Sequence, residues 1–128
     1  MKTIEVCAAV IIKNSKVLLT SRPDHQEHAG FWEFPGGKLE PGETPAECLI
    51  REIREELAVD ITVYDTIFFI DHTYPGKKVR IRFIRCAIIG EKEPSPQEGQ
   101  DFAWVERHRL NDVDLLPADQ PVAEFLGA

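Results

Sequence analysis

The order of apolar and polar positions divides the chain into strands, one strong helix, one weak helix and polar connections. Residues from Ile4 to Ile12 are β-branched and alanine-rich, the composition of a buried strand. Asn14-Ser15 predicts a turn, and Lys16 to Ser21 the returning strand of a hairpin. Arg22 to Gly30 has no period and reads as a polar loop. Its His25 and His28 are solvated loop histidines on this reading, although imidazoles can also ligate metals. Beyond the central helix, Ile61 to Thr73 holds one long strand or two short ones, Pro75-Gly76 a turn, and Val79 to Ile89 the next strand. With Val79, Ile81 and Phe83 toward the core, Arg80 and Arg82 fall on the opposite, solvated face. Glu91 to Gln100, with two prolines, is a loop. Phe102 to Val105 is a short strand, Glu106 to Asp114 a polar connection, and Pro117 to Asp119 caps a short helix ending near Leu126. The expected product is a single α/β domain over residues 1–128, with a mixed sheet between helices.

The central helix is specified from both directions. Thr44 is an N-cap, Pro45 fits the first helical position, and Glu47 completes a capping box. Ala46, Ile50, Ile53 and Leu57 share one stripe at spacings of three and four. Glu52, Glu55 and Glu56 share another face, where their charges repel unless a cation neutralises them. Hard divalent ions accept such oxygen ligands. The competing account is a solvated face with Glu47–Arg51 and Arg51–Glu55 pairs.

Charge and composition narrow the partners. A chain of 128 residues with net charge −7 is a poor partner for a nucleic acid polymer. A nucleotide held through a metal ion is still compatible with that charge. Three widely spaced cysteines, Cys7, Cys48 and Cys86, suit a reducing cytoplasm better than a disulfide framework. No apolar run reaches the ~20 residues of a membrane span, and the N-terminus lacks a signal-peptide pattern.

The residues around the helix carry a resemblance. Gly37, then Glu43 after five residues, then Arg51-Glu52-Ile53-Arg54-Glu55-Glu56-Leu57-Ala58-Val59 after seven, resembles the Nudix box of Nudix hydrolases. Its one departure is Ala58, where the box has glycine. Trp32-Glu33-Phe34-Pro35-Gly36-Gly37-Lys38, the loop Glu98-Gly99-Gln100, and Leu116-Pro117-Ala118-Asp119-Gln120-Pro121 are similar to the MutT-like branch, so the likeness runs from about Ile4 to Leu126. That branch includes 8-oxo-dGTP diphosphatases and CTP pyrophosphohydrolases.

The resemblance implies an α/β/α sandwich in which the box helix is catalytic and a second helix lies near the C-terminus. It implies Mg2+, with Mn2+ as a substitute, held by Glu52, Glu55, Glu56, Glu98 and the carbonyl of Gly36. The general base stays open among Glu52, Glu55 and Glu98, and Arg51 orients the acidic residues. Arg22 and Lys38, beside the Gly36-Gly37 turn, are candidates for the triphosphate. Glu33, Phe34 and Asp119 are candidates for the base pocket, and Tyr74 for stacking. Tyr74 also reads as a strand-end residue, and Asp119 as a cap of the last helix. The implied activity is hydrolysis of a nucleoside triphosphate to monophosphate and pyrophosphate, with 8-oxo-dGTP the foremost substrate. Cytidine triphosphates are the first alternative and a non-catalytic nucleotide sensor the second. A cytoplasmic monomer or weak homodimer is expected.

Overall fold

The computed structural model describes residues 2–127. Seven strands and two α-helices follow one another as β1 (Lys2–Lys13), β2 (Lys16–Ser21), β3 (Trp32–Glu33), β4 (Gly36–Lys38), α1 (Pro45–Leu57), β5 (Ile61–Tyr74), β6 (Lys77–Ile88), β7 (Phe102–Glu106) and α2 (Gln120–Gly127). Strand β1 is the spine. It runs parallel to β6 and antiparallel to β4, while its last residues pair with β2. Strand β6 in turn pairs antiparallel with β5, and β2 with β3 and β7.

Alternation along β1 explains the two layers of core. Cys7, Ala9 and Ile11 face α1, where Leu49, Ile53 and Leu57 cover them. Ala8 and Val10 point the other way, into a second cluster with Val122, Ala123 and Leu126 of α2. A strand buried on both faces must be apolar at every position, which is why β1 has no polar alternation in its middle. The mixed sheet between two helices is as expected.

Several details differ from the sequence reading. Ala46 and Ile50 are only half-buried, and Cys48, Leu49, Ile53 and Leu57 form the buried row of α1. Residues four apart at Leu49, Ile53 and Leu57 stay nearly in line along a helix, so this row, and not the one through Ala46 and Ile50, lies on the sheet. Ile61–Tyr74 is one strand, bent by register shifts between Val63 and Thr66 and between Thr66 and Phe68. The connection after β7 contains a 3-10 helix, Arg107–Asp112, because Leu110 is drawn into the α2-side core. A second 3-10 turn, Pro117–Asp119, precedes α2. Arg80 and Lys78 pair with Asp71 at 3.0 and 3.4 Å, and Arg82 lies over the Phe69 ring, so these three cations of β6 lie against β5 of the same hairpin. No helix among the described residues is long and apolar enough to cross a membrane.

Candidate active site

The site is built at the two ends of α1. At the start, Thr44 and Glu47 form the capping box: Glu47 N–H donates to Thr44 Oγ1 at 3.1 Å, and Thr44 N–H to Glu47 Oε1 at 2.8 Å. Glu47 is therefore occupied, and Arg51 turns elsewhere. Its guanidinium takes Glu43 at 2.8 and 3.0 Å and Glu52 Oε1 at 2.6 Å, and donates to the Lys38 carbonyl at 3.2 Å. The expected Glu47–Arg51 pair is thus replaced by Glu43–Arg51–Glu52, whereas Arg51–Glu55 is present at 3.6 Å. Bonding to Arg51 holds the Glu43 carboxyl at about 2 and raises the Arg51 pKa in return.

Strand β4 supplies the floor, and both its glycines are needed there for space. A Cβ on Gly36 would collide with the carbonyl oxygen of Cys7, its neighbour on β1. A Cβ on Gly37 would occupy the place of the Glu52 carboxyl group. Glu52 can lie flat on the strand only because residue 37 has no side chain.

The end of α1 is capped by a distant loop. Ala58 adopts left-handed geometry (φ 55°, ψ 34°), and its N–H bonds to the Arg54 carbonyl at 3.0 Å. Helix ends leave carbonyls without partners, and residues 95–100 fill them here. Ser95 N–H reaches the Leu57 carbonyl at 2.8 Å, while Gln97 N–H and Gln100 Nε2 reach that of Glu56 at 2.9 and 3.2 Å. This docking brings Glu98 to the cavity that Glu52 and Glu56 line.

That cavity holds about 220 Å³ and is walled by Arg22, Glu33, Gly36, Glu52, Glu56, Glu98 and Gln100, together with Thr20, Ser21, Pro23 and Gln26. Glu56 is its most unusual member. Burial, then the charges of Glu52, Glu98 and Glu33, push its carboxyl up to about 9. Its Oε2 is buried without a hydrogen-bond partner. Burial also raises Glu52. An orphaned carboxylate oxygen among other carboxylates fits a divalent cation, and the all-oxygen donor set suits Mg2+ or Mn2+. No three His, Cys, Asp or Glu side chains among the described residues close a metal cage by themselves. Mg2+ commonly takes one or two protein carboxylates and completes its shell with water and phosphate.

A second, larger cavity of about 530 Å³ adjoins the first, sharing Arg22, Glu33 and Gly36. Its walls include Phe34, Ile81, Leu116, Pro117 and Ala118, with His28, His72 and Tyr74 alongside. Asp119 is its buried polar group. Its Oδ2 accepts the Phe34 N–H at 3.2 Å, a contact across 85 positions, and burial pushes its carboxyl up to about 7. The carboxylate thus fixes the cavity wall; its recorded bond goes to Phe34 and not to α2. Burial likewise raises Glu33, against the opposing pull of Arg22 at 3.4 Å. The His72 and Tyr74 rings touch at a tilt of 49°, 4.5 Å between centroids, with Lys77 over the tyrosine.

The predicted residues fall along both cavities, with Arg22, Glu33 and Gly36 on the wall they share and Arg51 behind it. Glu52, Glu56, Glu98, Arg22, Glu33 and Gly36 line the small cavity, and Phe34, Gly37, Lys38, Tyr74 and Asp119 the large one. Glu55 lines neither; its side chain is 59 % exposed and faces Arg51. His28 reaches the large cavity while His25 lies outside both. Sequence reasoning missed His72 and Gln100. Position i−2 from Tyr74 on the same strand face was the available signal for His72; Gln100 gave none beyond lying in the loop of Glu98.

Cys48 is fully buried, directed at the carbonyls of Lys38 and Gly37 at 3.5 and 3.7 Å, and burial pushes its thiol up to about 12. It is a packed core residue.

The family model of the NUDIX domain matches residues 7–124. A CTP pyrophosphohydrolase of Escherichia coli K12 is 36% identical over 126 residues, covering 97% of this chain and 91% of that protein. An 8-oxo-dGTP diphosphatase of the same strain is 31% identical over 123 residues, covering 95% of each. The solution structure of the E. coli ORF135 protein superposes with a TM-score of 0.85 at 34% identity, covering 97% of this chain and 88% of the other. With its acidic helix, glycine floor and docked glutamate loop, this chain belongs to the Nudix domain family.

Proposed function

We propose that this protein is a divalent-metal-dependent nucleoside triphosphate pyrophosphohydrolase, converting a nucleoside triphosphate and water to the monophosphate and pyrophosphate. Its family relatives are named for nucleotide substrates of that class, and Nudix hydrolases generally need a divalent metal ion. The observation that carries the reading is the shared wall of the two cavities at Arg22, Glu33 and Gly36. One ligand can lie across that wall, with its phosphates among the carboxylates and its base in the apolar chamber.

In this reading Glu52, Glu56, Glu98 and the Gly36 carbonyl hold Mg2+, with Mn2+ as a substitute. Bound there, a divalent cation would neutralise charge on the phosphate oxygens and lower the pKa of the attacking water. Arg51 holds Glu52 in place through the 2.6 Å bond and keeps the Glu43 loop closed on the helix. Arg22 stands at the junction of the cavities, where a phosphate passes. The proton acceptor narrows to Glu52 or Glu98, since Glu55 lies outside the small cavity.

Base choice falls to the large cavity. An ionised Asp119 only accepts hydrogen bonds, whereas the protonated acid also donates. With the carboxyl near 7, both forms are populated at neutral pH. The ionised form suits the amine of cytosine or the N7–H of 8-oxoguanine and opposes the O6 acceptor of guanine. Cytidine triphosphates and 8-oxo-dGTP are thus the proposed substrates, and discrimination against dGTP should sharpen as pH rises through 7.

The test is a panel of nucleoside triphosphates with Mg2+, scoring pyrophosphate separately from phosphate. Pyrophosphate and monophosphate in equal amounts support the proposal. Orthophosphate as the product, or tight nucleotide binding with no turnover, would replace it with a phosphatase or a sensor.

A further inference from the structure

Glu98 reaches the small cavity from the connection between β6 and β7, residues 89–101, which has no regular structure of its own. Something must hold it there, since a loop glutamate left free would spend little time facing two other carboxylates. Three observations point to one side chain. Gln100 is buried, at 7% exposure, although it is an amide in a polar loop. Its Nε2 donates to the Glu56 carbonyl at 3.2 Å, in the last turn of α1. Its Oε1 accepts the backbone N–H of Glu98 at 2.9 Å. Gly99 makes the second bond attainable: its φ of 80° folds the chain back so that the side chain of residue 100 meets the amide of residue 98.

We propose that Gln100 is a positioning residue, bridging the helix that carries Glu52 and Glu56 to the loop that carries Glu98 and so fixing the separation of the carboxylates. The proposal rests on the reading of Glu98 as part of the metal site. Its two bonds use both ends of one planar amide, so the carbonyl of Glu56 and the amide of Glu98 are held at a set distance. Gln97 and Ser95 also dock the loop on the helix, which keeps the loop attached when Gln100 is changed but does not restrain the Glu98 amide. The role is one of supporting a ligand from outside, where losses of about tenfold to a hundredfold in metal affinity are typical.

The experiment uses Gln100→Met, close in length and shape but without the amide, alone and in a Glu98→Gln background. Hydrogen exchange of the metal-free proteins and Mn2+ binding by electron paramagnetic resonance are read together. In Gln100→Met the Glu98 amide should exchange at least about tenfold faster while amides of β1 and β6 hold, and Mn2+ should bind about tenfold more weakly. In the Glu98→Gln background the same change should cost nothing further, because the group being positioned is already lost. An equal loss in both backgrounds, or unchanged Mn2+ binding in Gln100→Met, overturns the proposal. If Glu98→Gln alone binds Mn2+ as the wild type does, the reading of Glu98 falls and the proposal falls with it. A normal loss in Glu98→Gln with none in Gln100→Met rejects Gln100 only. Should Gln100→Met fail to fold, Gln100→Leu carries the same comparison.

Discussion

The two adjoining cavities differ in how they are made. The small one brings α1, the glycine strand beneath it and one docked loop against the end of β2, the loop that follows it and β3, and its character is electrostatic: clustered carboxylates and a buried oxygen without a partner. The large one is assembled from β1, β4, β5, β6 and the turn before α2, and its character is steric and apolar, with Asp119 as its buried polar group. Chemistry that is common to every nucleoside triphosphate belongs in the first. Discrimination between bases belongs in the second, where distant segments can change without disturbing the helix. The two functions should therefore separate under mutation.

The largest effect expected is at Glu56. Glu56→Gln keeps the volume and removes the charge, and should lower kcat on every substrate by about 10²–10³, the several kcal/mol a positioned cation supplies. Glu55→Gln, outside the cavity, should cost less than about tenfold on the same scale. The metal-free proteins add a sign. A carboxyl raised from 4.5 to about 9 keeps its proton in the folded state after the unfolded chain has lost it. Wild-type stability without metal should thus fall as pH rises between those values, and Glu56→Gln should flatten the fall. Denaturation midpoints with chelator, measured from pH 5 to 9, check this.

Asp119→Asn should act on the other cavity. Asparagine keeps one acceptor and replaces the other with a donor, which can meet the O6 of 8-oxoguanine that the carboxylate opposes; a mismatch of that kind is worth ~1–3 kcal/mol, so relative kcat/KM should move about tenfold or more away from cytidine triphosphates and toward 8-oxo-dGTP. Turnover on the best substrate should stay within a few-fold. A ratio unchanged within twofold would make Asp119 a purely structural partner of Phe34.

Smaller again is Ala58→Gly. Left-handed geometry costs alanine ~1–2 kcal/mol, and glycine returns some of that through the entropy of the unfolded chain. A net gain of about 0.5–1 kcal/mol should raise Tm by about 2–5 °C with little change in rate. The smallest effect is at Cys48. Its thiol is directed at backbone carbonyls and lines neither cavity, so wild type and Cys48→Ala should be equally sensitive to trace Cd2+ in the turnover assay.

The contrast between cavities also explains what the sequence made legible. Helix α1 begins and ends where Thr44, Pro45, Glu47 and Leu57 place its boundaries, because capping and periodicity are local. The carboxylates at Glu52 and Glu56 were legible for the same reason: one helical face is a spacing of three and four. The exposure of Glu55 was not, since it depends on how α1 is rotated on the sheet. Pairing of Arg51 with Glu43 needed the loop's path and not the helix's period. In the large cavity almost nothing was local. The bond between Asp119 and Phe34 joins residues 85 apart, and His72 reaches the chamber only through the β5–β6 register. Spacing along the chain carries no trace of the Asp119 bond; the resemblance supplied Phe34 and Asp119, and His72 had only its place two residues before Tyr74 on one strand face.

The most direct test of two separable cavities is one matrix: kcat/KM for wild type, Glu56→Gln and Asp119→Asn on dCTP, CTP, dGTP and 8-oxo-dGTP at saturating Mg2+. The account predicts that Glu56→Gln lowers all four by nearly the same factor and preserves their order, while Asp119→Asn changes the order and leaves the best substrate nearly as fast. A Glu56→Gln variant that reorders the substrates, or an Asp119→Asn variant that lowers all four alike, would contradict it.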